Sequence, residues 1–322
     1  MMRLLRLLLC AVVPGVFCAS ALAQQNWPNR PVKIVIPYAA GGPVDAAARA
    51  FGDPLAKHFG QNFLIENRPG AGGNIGSDYV AKAAPDGYTL LLNTTAIAIS
   101  PGYYRKMAYN VEKDLAPISH IFTGATVLAA SNKFAANSVP ELIRMAKANP
   151  GRITFGSSGN GTTNHLAGEL LKSHAGIDLL HVPFGGAAQA LISMMGGQTD
   201  MMFASALELA PRAKAGQIKA LAVTNAQRTS ALPDVPTIGE AVPGYESTIW
   251  YGLFAPAALS PDIVGKLSAQ LGPLANAPEI KAYFDSLGAV FVGSRPDALA
   301  KLVREEIVKW RRVMQQAGVA AD

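Results

Sequence analysis

Cysteine is missing from the chain after its first eighteen residues. Cys10 and Cys18 are its only two, and both fall in a stretch expected to be removed. A mature chain without thiols excludes disulfides, thiolate metal sites and cysteine nucleophiles. Charge is sparse too. Only 16% of residues are Asp, Glu, Lys or Arg, and no basic cluster interleaved with aromatics occurs, so nucleic acid is not an expected partner. The five histidines include no H-x-x-x-H pair, which leaves no zinc-like spacing. The phosphate-loop pattern G-x-x-x-x-G-K-[ST] is absent. Gly70, Gly72, Gly73 and Gly76 do not follow a strand and open a helix in the dinucleotide spacing. No cofactor and no metal are expected. After residue 24 no run approaches the ~20 apolar residues of a spanning helix.

What is present begins with a leader. Arg3 and Arg6 precede an apolar run that continues to about Phe17, and Ala21-Leu22-Ala23 is a small-x-small cleavage site. Residues 1–23 are therefore expected to be a secretory signal peptide cleaved after about Ala23, which places the mature chain in the periplasm. Pro14 and Gly15 break the run, and bulky Phe17 before Cys18 argues against a lipoprotein. Loss of Arg3 and Arg6 would lower the formal net charge from +6 to +4, still only mildly basic.

The 322 residues suit about two domains on a prior of ~150 each. Short apolar runs alternate with helical patterns, as in an α/β protein. Strands are expected at Val32 to Pro37, Phe63 to Glu66, Thr89 to Asn93, Val127 to Ala130, Ile153 to Gly156, Leu179 to Val182, Met201 to Phe203, Leu221 to Thr224 and Tyr251 to Ala255. Helices are expected at 43–59, 75–83, 139–148, 162–175, 186–195, 207–215, 261–274 and 296–316. No linker separates two contiguous halves. That pattern fits two crossings between lobes, at about Thr123 to Thr126 and Thr224 to Asn225, giving lobe 1 as 24–124 plus 225–322 and lobe 2 as 125–224.

The strongest local features are glycine- and serine-rich turns between a strand and a helix. One runs from Tyr38 through Ala39, Ala40, Gly41 and Gly42 to Asp45. The other runs from Gly156 through Ser157, Ser158, Asn160 and Thr162 to Asn164. Fainter ones are Asn93-Thr94 and Phe184-Gly185-Gly186. A helix N-terminus leaves N–H groups unpaired and its dipole favours negative charge, so such ends bind carboxylates or phosphates without arginine. In open α/β sheets ligands sit at the carboxyl ends of strands, where these turns lie. Gly156-Ser157-Ser158-Gly159-Asn160 resembles a nucleophile elbow, but Asn160 stands where G-x-S-x-G requires glycine. His165 and His181 are read as structural or capping groups, and Asp45 as a first-turn carboxylate.

The chain resembles the Bug-type receptors, periplasmic substrate-binding proteins of tripartite tricarboxylate transporters. The resemblance rests on Trp27-Pro28 with Pro31-Val32-Lys33-Ile34-Val35, on Gly41-Gly42-x-x-Asp45, on Glu66-Asn67-Arg68-Pro69-Gly70-Ala71-Gly72-Gly73-Asn74-Ile75-Gly76, and on Ala84-Pro85-Asp86-Gly87-Tyr88-Thr89-Leu90. His181-Val182-Pro183-Phe184, Gly196-Gly197-Gln198 and Leu232-Pro233-Asp234-Val235-Pro236-Thr237 add to it. It covers essentially the whole mature chain. It implies a type II periplasmic-binding fold, two α/β lobes with a ligand cleft between them, and a non-enzymatic receptor for a small organic carboxylate, either a di- or tricarboxylate or an aromatic acid. It implies delivery to integral-membrane permease subunits and a monomeric receptor. The loop from Tyr38 to Asp45 would grip a carboxylate, opposed by Ser157 to Thr162, with lining from Asn93, Thr94, Phe184, Phe203, Ala204 and Ser205. Phe184 stands where tyrosine is common, Ala204 where a polar residue is frequent, and Ala39-Ala40 where a Pro-containing pair is often seen. These departures point to a somewhat apolar pocket. Two other readings are a receptor presenting its ligand to a sensor kinase, and an exported serine hydrolase using Ser158.

Overall fold

The computed structural model describes residues 27–286, 288–316 and 319. The expected signal peptide and both cysteines lie outside them.

Eleven strands among the described residues form two sheets. The first has six: β1 (Val32–Ile36), β2 (Phe63–Asn67), β3 (Thr89–Thr94), β4 (Leu115–Gly124), β10 (Ile249–Pro256) and β11 (Ala289–Phe291), in the order β11-β4-β10-β3-β1-β2. β1 pairs parallel with β2 and β3, while β10 runs antiparallel between β3 and β4. The second has five: β5 (Thr126–Ala130), β6 (Thr154–Ser157), β7 (Leu180–Pro183), β8 (Met201–Ser205) and β9 (Lys219–Val223), in the order β7-β6-β8-β5-β9. The parallel strands are nearly continuous apolar runs because helices cover both faces. Val32, Ile34, Val35 and Ile36 of β1 are all fully buried.

Each lobe has its own core. Phe51, Leu90, Phe122, Tyr251 and Phe284 centre the first, and Leu128, Phe155, Leu171 and Phe203 the second. A single residue, Ala125, joins β4 to β5. The return crossing is hydrogen-bonded beside it: Thr224 N–H donates to the Thr126 carbonyl at 2.9 Å, and Ser247 N–H donates to the Thr224 carbonyl at 2.9 Å. Ala231 and Leu232 pack in one core cluster of the second lobe, and Ile238, Val242 and Tyr245 in another. Residues 231–245 therefore pack with the second lobe, where the sequence pattern assigned all of 225–322 to the first. This stretch holds no strand, only isolated bridges from Val223 to Thr237 and from Thr229 to Leu232 and the short helix Ile238–Ala241, so periodicity alone did not place it.

The long helix Pro296–Gln316 touches both lobes. Its Trp310 and Met314 pack against Ile99 and Tyr103 of the first lobe and Leu166 of the second. Among the described residues no helix is long and apolar enough to cross a membrane.

Candidate functional site

Helix N-termini from both lobes point at one cavity. The helix Pro43–Phe59 starts at Gly42, held extended with φ −83° and ψ 175°, and no side chain caps it. The helix Ala187–Gly196 starts at Gly186, also without a side-chain cap. The helix Thr163–Ala175 is capped by Thr162, whose Oγ1 accepts from His165 N–H at 3.5 Å. Glycine in place of Ser, Thr, Asp or Asn leaves first-turn N–H groups unsatisfied. These ends surround about 570 Å³ of space not filled by protein atoms, open solvent at the mouth included. The first lobe contributes Tyr38, Ala39, Gly42, Val44, Thr94, Ile249 and Tyr251. The second contributes Ser158, Thr162, Thr163, Asn164, Gly186, Ala187, Ala188 and Ser205. None of these side chains carries a formal charge at neutral pH.

The lobes meet around this cavity. A Cβ built on Gly186 would stand 3.2 Å from Ala39 Cβ. On the neighbouring rim, a Cβ on Gly72 would lie 2.5 Å from the Asn160 carbonyl oxygen, which also accepts from Tyr104 Oη at 3.1 Å.

A polar network positions the first-lobe wall. Tyr38 Oη donates to Asn93 Oδ1 at 2.9 Å and exchanges a hydrogen bond with Thr94 Oγ1 at 2.9 Å. Asn93 Nδ2 donates to Ser77 Oγ at 2.9 Å, which donates on to the Gly73 carbonyl at 2.8 Å. Burial pushes the Tyr38 phenol well above its ordinary range, so it stays neutral and serves as a donor. Three wall atoms are buried with no hydrogen-bond partner: Thr163 Oγ1, Asn164 Oδ1 and Tyr251 Oη. Burial also raises the Tyr251 phenol, and the neighbouring Ser205 hydroxyl offsets part of that rise without meeting hydrogen-bond geometry.

Of the sixteen residues expected at the site, Tyr38, Ala39, Gly42, Thr94, Ser158, Thr162 and Ser205 line the cavity. The other nine stand elsewhere. Ala40 and Gly41 are exposed. Asp45 is buried beside the first turn, with Oδ2 accepting from Arg49 Nε at 3.2 Å. Asn93 supports Tyr38 from behind. Asn160 is exposed. Phe184 packs against the second-lobe core and borders a neighbouring cleft. Phe203 and Ala204 are fully buried in β8. Ser157 Oγ pairs with His181 Nε2 at 2.6 Å, inside the second lobe. Val44, Thr163 and Asn164 also line the cavity; the expected turns spanned them without naming them as ligand contacts, and Ala187, Ala188, Ile249 and Tyr251 were outside the expectation. Gly186 did end one of the fainter turns. Ile249 and Tyr251 reach the cavity only because β10 returns from far along the chain to pair with β3.

The serine-rich turn holds no nucleophile. Ser157 is fully buried and bridges Gly159 N–H and carbonyl at 3.1 Å each. His165 stacks on His181 with ring centroids 4.0 Å apart. Its Nδ1 accepts from Gly161 N–H at 3.2 Å. Burial pushes His165 down to about 3 and His181 to about 4, with Lys172 adding to both. Ser158 Oγ accepts from Asn164 Nδ2 at 3.3 Å, while His181 pairs with Ser157.

Two α/β lobes closing on a cavity edged by helix N-termini define a two-lobed solute receptor of the periplasmic-binding class. The chain belongs to the tripartite tricarboxylate transporter receptor family: the family model described as "Tripartite tricarboxylate transporter family receptor" matches residues 47–319. Three solved structures show the same architecture. Rpa4515 of R. palustris, determined with adipate, is 34% identical with a TM-score of 0.89, covering 92% of this chain and 100% of its own. The periplasmic binding protein BugD is 33% identical with a TM-score of 0.88, over 92% and 100%. MatC of Rhodopseudomonas palustris, with bound malate, is 33% identical with a TM-score of 0.83, over 89% and 99%. Family and neighbours are solute-binding receptors, not enzymes.

Proposed function

We propose that this receptor works in the periplasm after loss of residues 1–23, where it closes over a small organic carboxylate. It then delivers that cargo to the integral-membrane permease subunits of a tripartite tricarboxylate-type transporter. In this reading the first lobe comprises the described residues up to 124 and from Ile249 onward, and the second lobe lies between. The observation that carries the proposal is the convergence of uncapped helix N-termini on a cavity with no charged side chain in its wall. Such a wall attracts an anion through main-chain dipoles. Each hydrogen bond to a charged group contributes about 1.5–3 kcal/mol. Three or four, less the costs of association and closure, reach the roughly −8 kcal/mol of a micromolar receptor. The adipate and malate seen in the two R. palustris proteins support the same ligand chemistry here. Contacts to both lobes favour the closed state, which the permease would recognise.

A thermal-shift screen of carboxylates, amino acids, sugars and cations tests this. A carboxylate at 100 times its dissociation constant stabilises the folded state by about 2.7 kcal/mol. A screen in which only sugars or cations raise the melting temperature overturns the proposal.

A further inference from the structure

We propose that the lobes open on one flank only, turning about a line through the chain crossings and a buried interlobe seam. The helix Ala187–Gly196 then swings, while the helix Thr163–Ala175 keeps its place against the first lobe. The seam is built from large apolar side chains. Ile99, Tyr103, Trp310 and Met314 of the first lobe enclose Leu166 of the second. Ile99, Leu166 and Trp310 are fully buried, and Tyr103 and Met314 nearly so. Gly161 seats its backbone on the Tyr103–Tyr104 ring pair: a Cβ there would lie 2.9 Å from Tyr103 Cδ1 and 3.1 Å from Tyr104 Cε2. The Tyr103 and His165 rings meet edge-on, with centroids 5.6 Å apart.

Seam and rim lie on opposite flanks. The helix Pro43–Phe59 packs with Ile34 and Leu90 of the first sheet, whereas the helix Pro296–Gln316 packs with Val35 and Leu91. In the second sheet the helix Thr163–Ala175 packs with Phe155 and Phe203, whereas the helix Ala187–Gly196 packs with Met202 and Ala204. Successive strand residues face opposite sides. The long helix is fastened to the first lobe, because Glu306 Oε2 accepts from Trp310 Nε1 at 2.8 Å and from Trp250 Nε1, on β10, at 3.2 Å. Parting the seam would return its side chains to water, at a cost that scales with the apolar area exposed. On the other flank the lobes meet through Ala39 and Gly186, whose parting exposes little more than a methyl group. A rotation that leaves two separated points in place has the line between them as its axis. The crossings at Ala125 and Thr224 hold one point and the seam holds the other, so the rim at Gly186 lies off the axis and moves. Thr163 and Asn164 line the cavity within one turn of Leu166. They stay beside the first lobe as a standing half-site, and closure adds the uncapped helix start at Gly186.

Double electron–electron resonance on the dialysed, cargo-free receptor tests this. The chain after Cys18 has no cysteine, so nitroxide labels can be attached at chosen pairs of exposed positions. Ala46→Cys with Ile192→Cys spans the rim, and Ser173→Cys with Gln315→Cys spans the seam. The rim pair is expected to lie more than about 2 Å beyond its spacing in this structure, while the seam pair keeps its spacing within about 1 Å. A seam pair that lengthens as much as the rim pair, or a rim pair that keeps its spacing, overturns the inference. Both distances are read without any carboxylate, so either result leaves the proposed cargo chemistry standing.

Discussion

Ala39 and Gly186 face each other across the cleft, and a side chain on Gly186 would stand 3.2 Å from Ala39 Cβ. Gly186 has φ 177° and ψ 166°, an extended conformation open to any residue. Its smallness therefore serves the approach of the two lobes and not a backbone requirement. Gly186→Val adds branched bulk at the point of closest approach. The expected outcome, read by titration calorimetry, is at least a tenfold weaker dissociation constant, about 1.4 kcal/mol, with the melting temperature held within a few degrees. Unchanged affinity would mean that this rim does not close on ligand.

Ser157 and His181 make the second test. Their 2.6 Å contact lies inside the second lobe. Ser157→Ala removes the partner of His181 Nε2 and of the Gly159 N–H, while the Gly159 carbonyl keeps the Thr162 hydroxyl, at an expected loss of roughly 1–3 kcal/mol in chemical denaturation. Ligand affinity stays within about threefold, because Ser157 does not touch the cavity.

The buried histidine pair sets an acid limit. His165 and His181 titrate near 3 and 4 in the folded chain against 6.5 when free. Between pH 6.5 and 4 the unfolded chain binds more protons than the native one, so stability contributed by this pair rises with pH across that window. Denaturant midpoints should fall on acidification from 6.5 to 4. In His165→Gln that fall should be shallower, by an amount of order 2–4 kcal/mol over the whole window.

Glu208 has the opposite sign. It lies in the first turn of the helix Ala206–Lys214, buried, with Oε2 unpartnered. Arg212 gives its Nη1 hydrogen bond to the Glu208 main-chain carbonyl at 2.7 Å instead of to the carboxylate. Burial lifts the acid from 4.5 to about 7, and the charge of Arg212 offsets only part of that. A raised carboxyl pKa favours the native state fully below 4.5, and that advantage disappears as pH climbs through 7. Glu208→Gln is expected to be more stable than the parent at pH 8, by roughly 2–3 kcal/mol, and nearly equal at pH 4.5. A variant no more stable at pH 8 would refute the assignment.

Much of the fold was legible because hydrophobic period and end signals agreed. Pro43 at the first position and Gly60 in the left-handed region bound a helix at the expected residues, Pro43–Phe59. Ser138 caps another at Val139–Ala148. β4 escaped detection because Pro117, Ser119 and His120 interrupt its apolar pattern, and its pairing with β10 carries two register shifts. The helix Ala96–Tyr103 escaped because its buried residues surround the axis, with Pro101 inside, leaving no amphipathic period to read. At the site, the turns were legible but side-chain direction was not. Ser157 turns inward and Ser158 faces the cavity, although the two are adjacent in one serine-rich loop. Asn164 stood at the end of the expected loop, yet only the bond from its Nδ2 to Ser158 shows which end of the amide is free.

The cavity wall holds no group that gains or loses a proton across the range in which bacteria live. On the carboxylate reading proposed above, its attraction for the cargo belongs to peptide units, and its tyrosines ionise only in strong alkali. Capture should therefore follow the ionisation of the cargo alone, indifferent to acidity outside the cell as long as the lobes stay folded. No single side-chain replacement can delete the attraction either, so new cargo preferences can arise at the rim while the electrostatic floor remains.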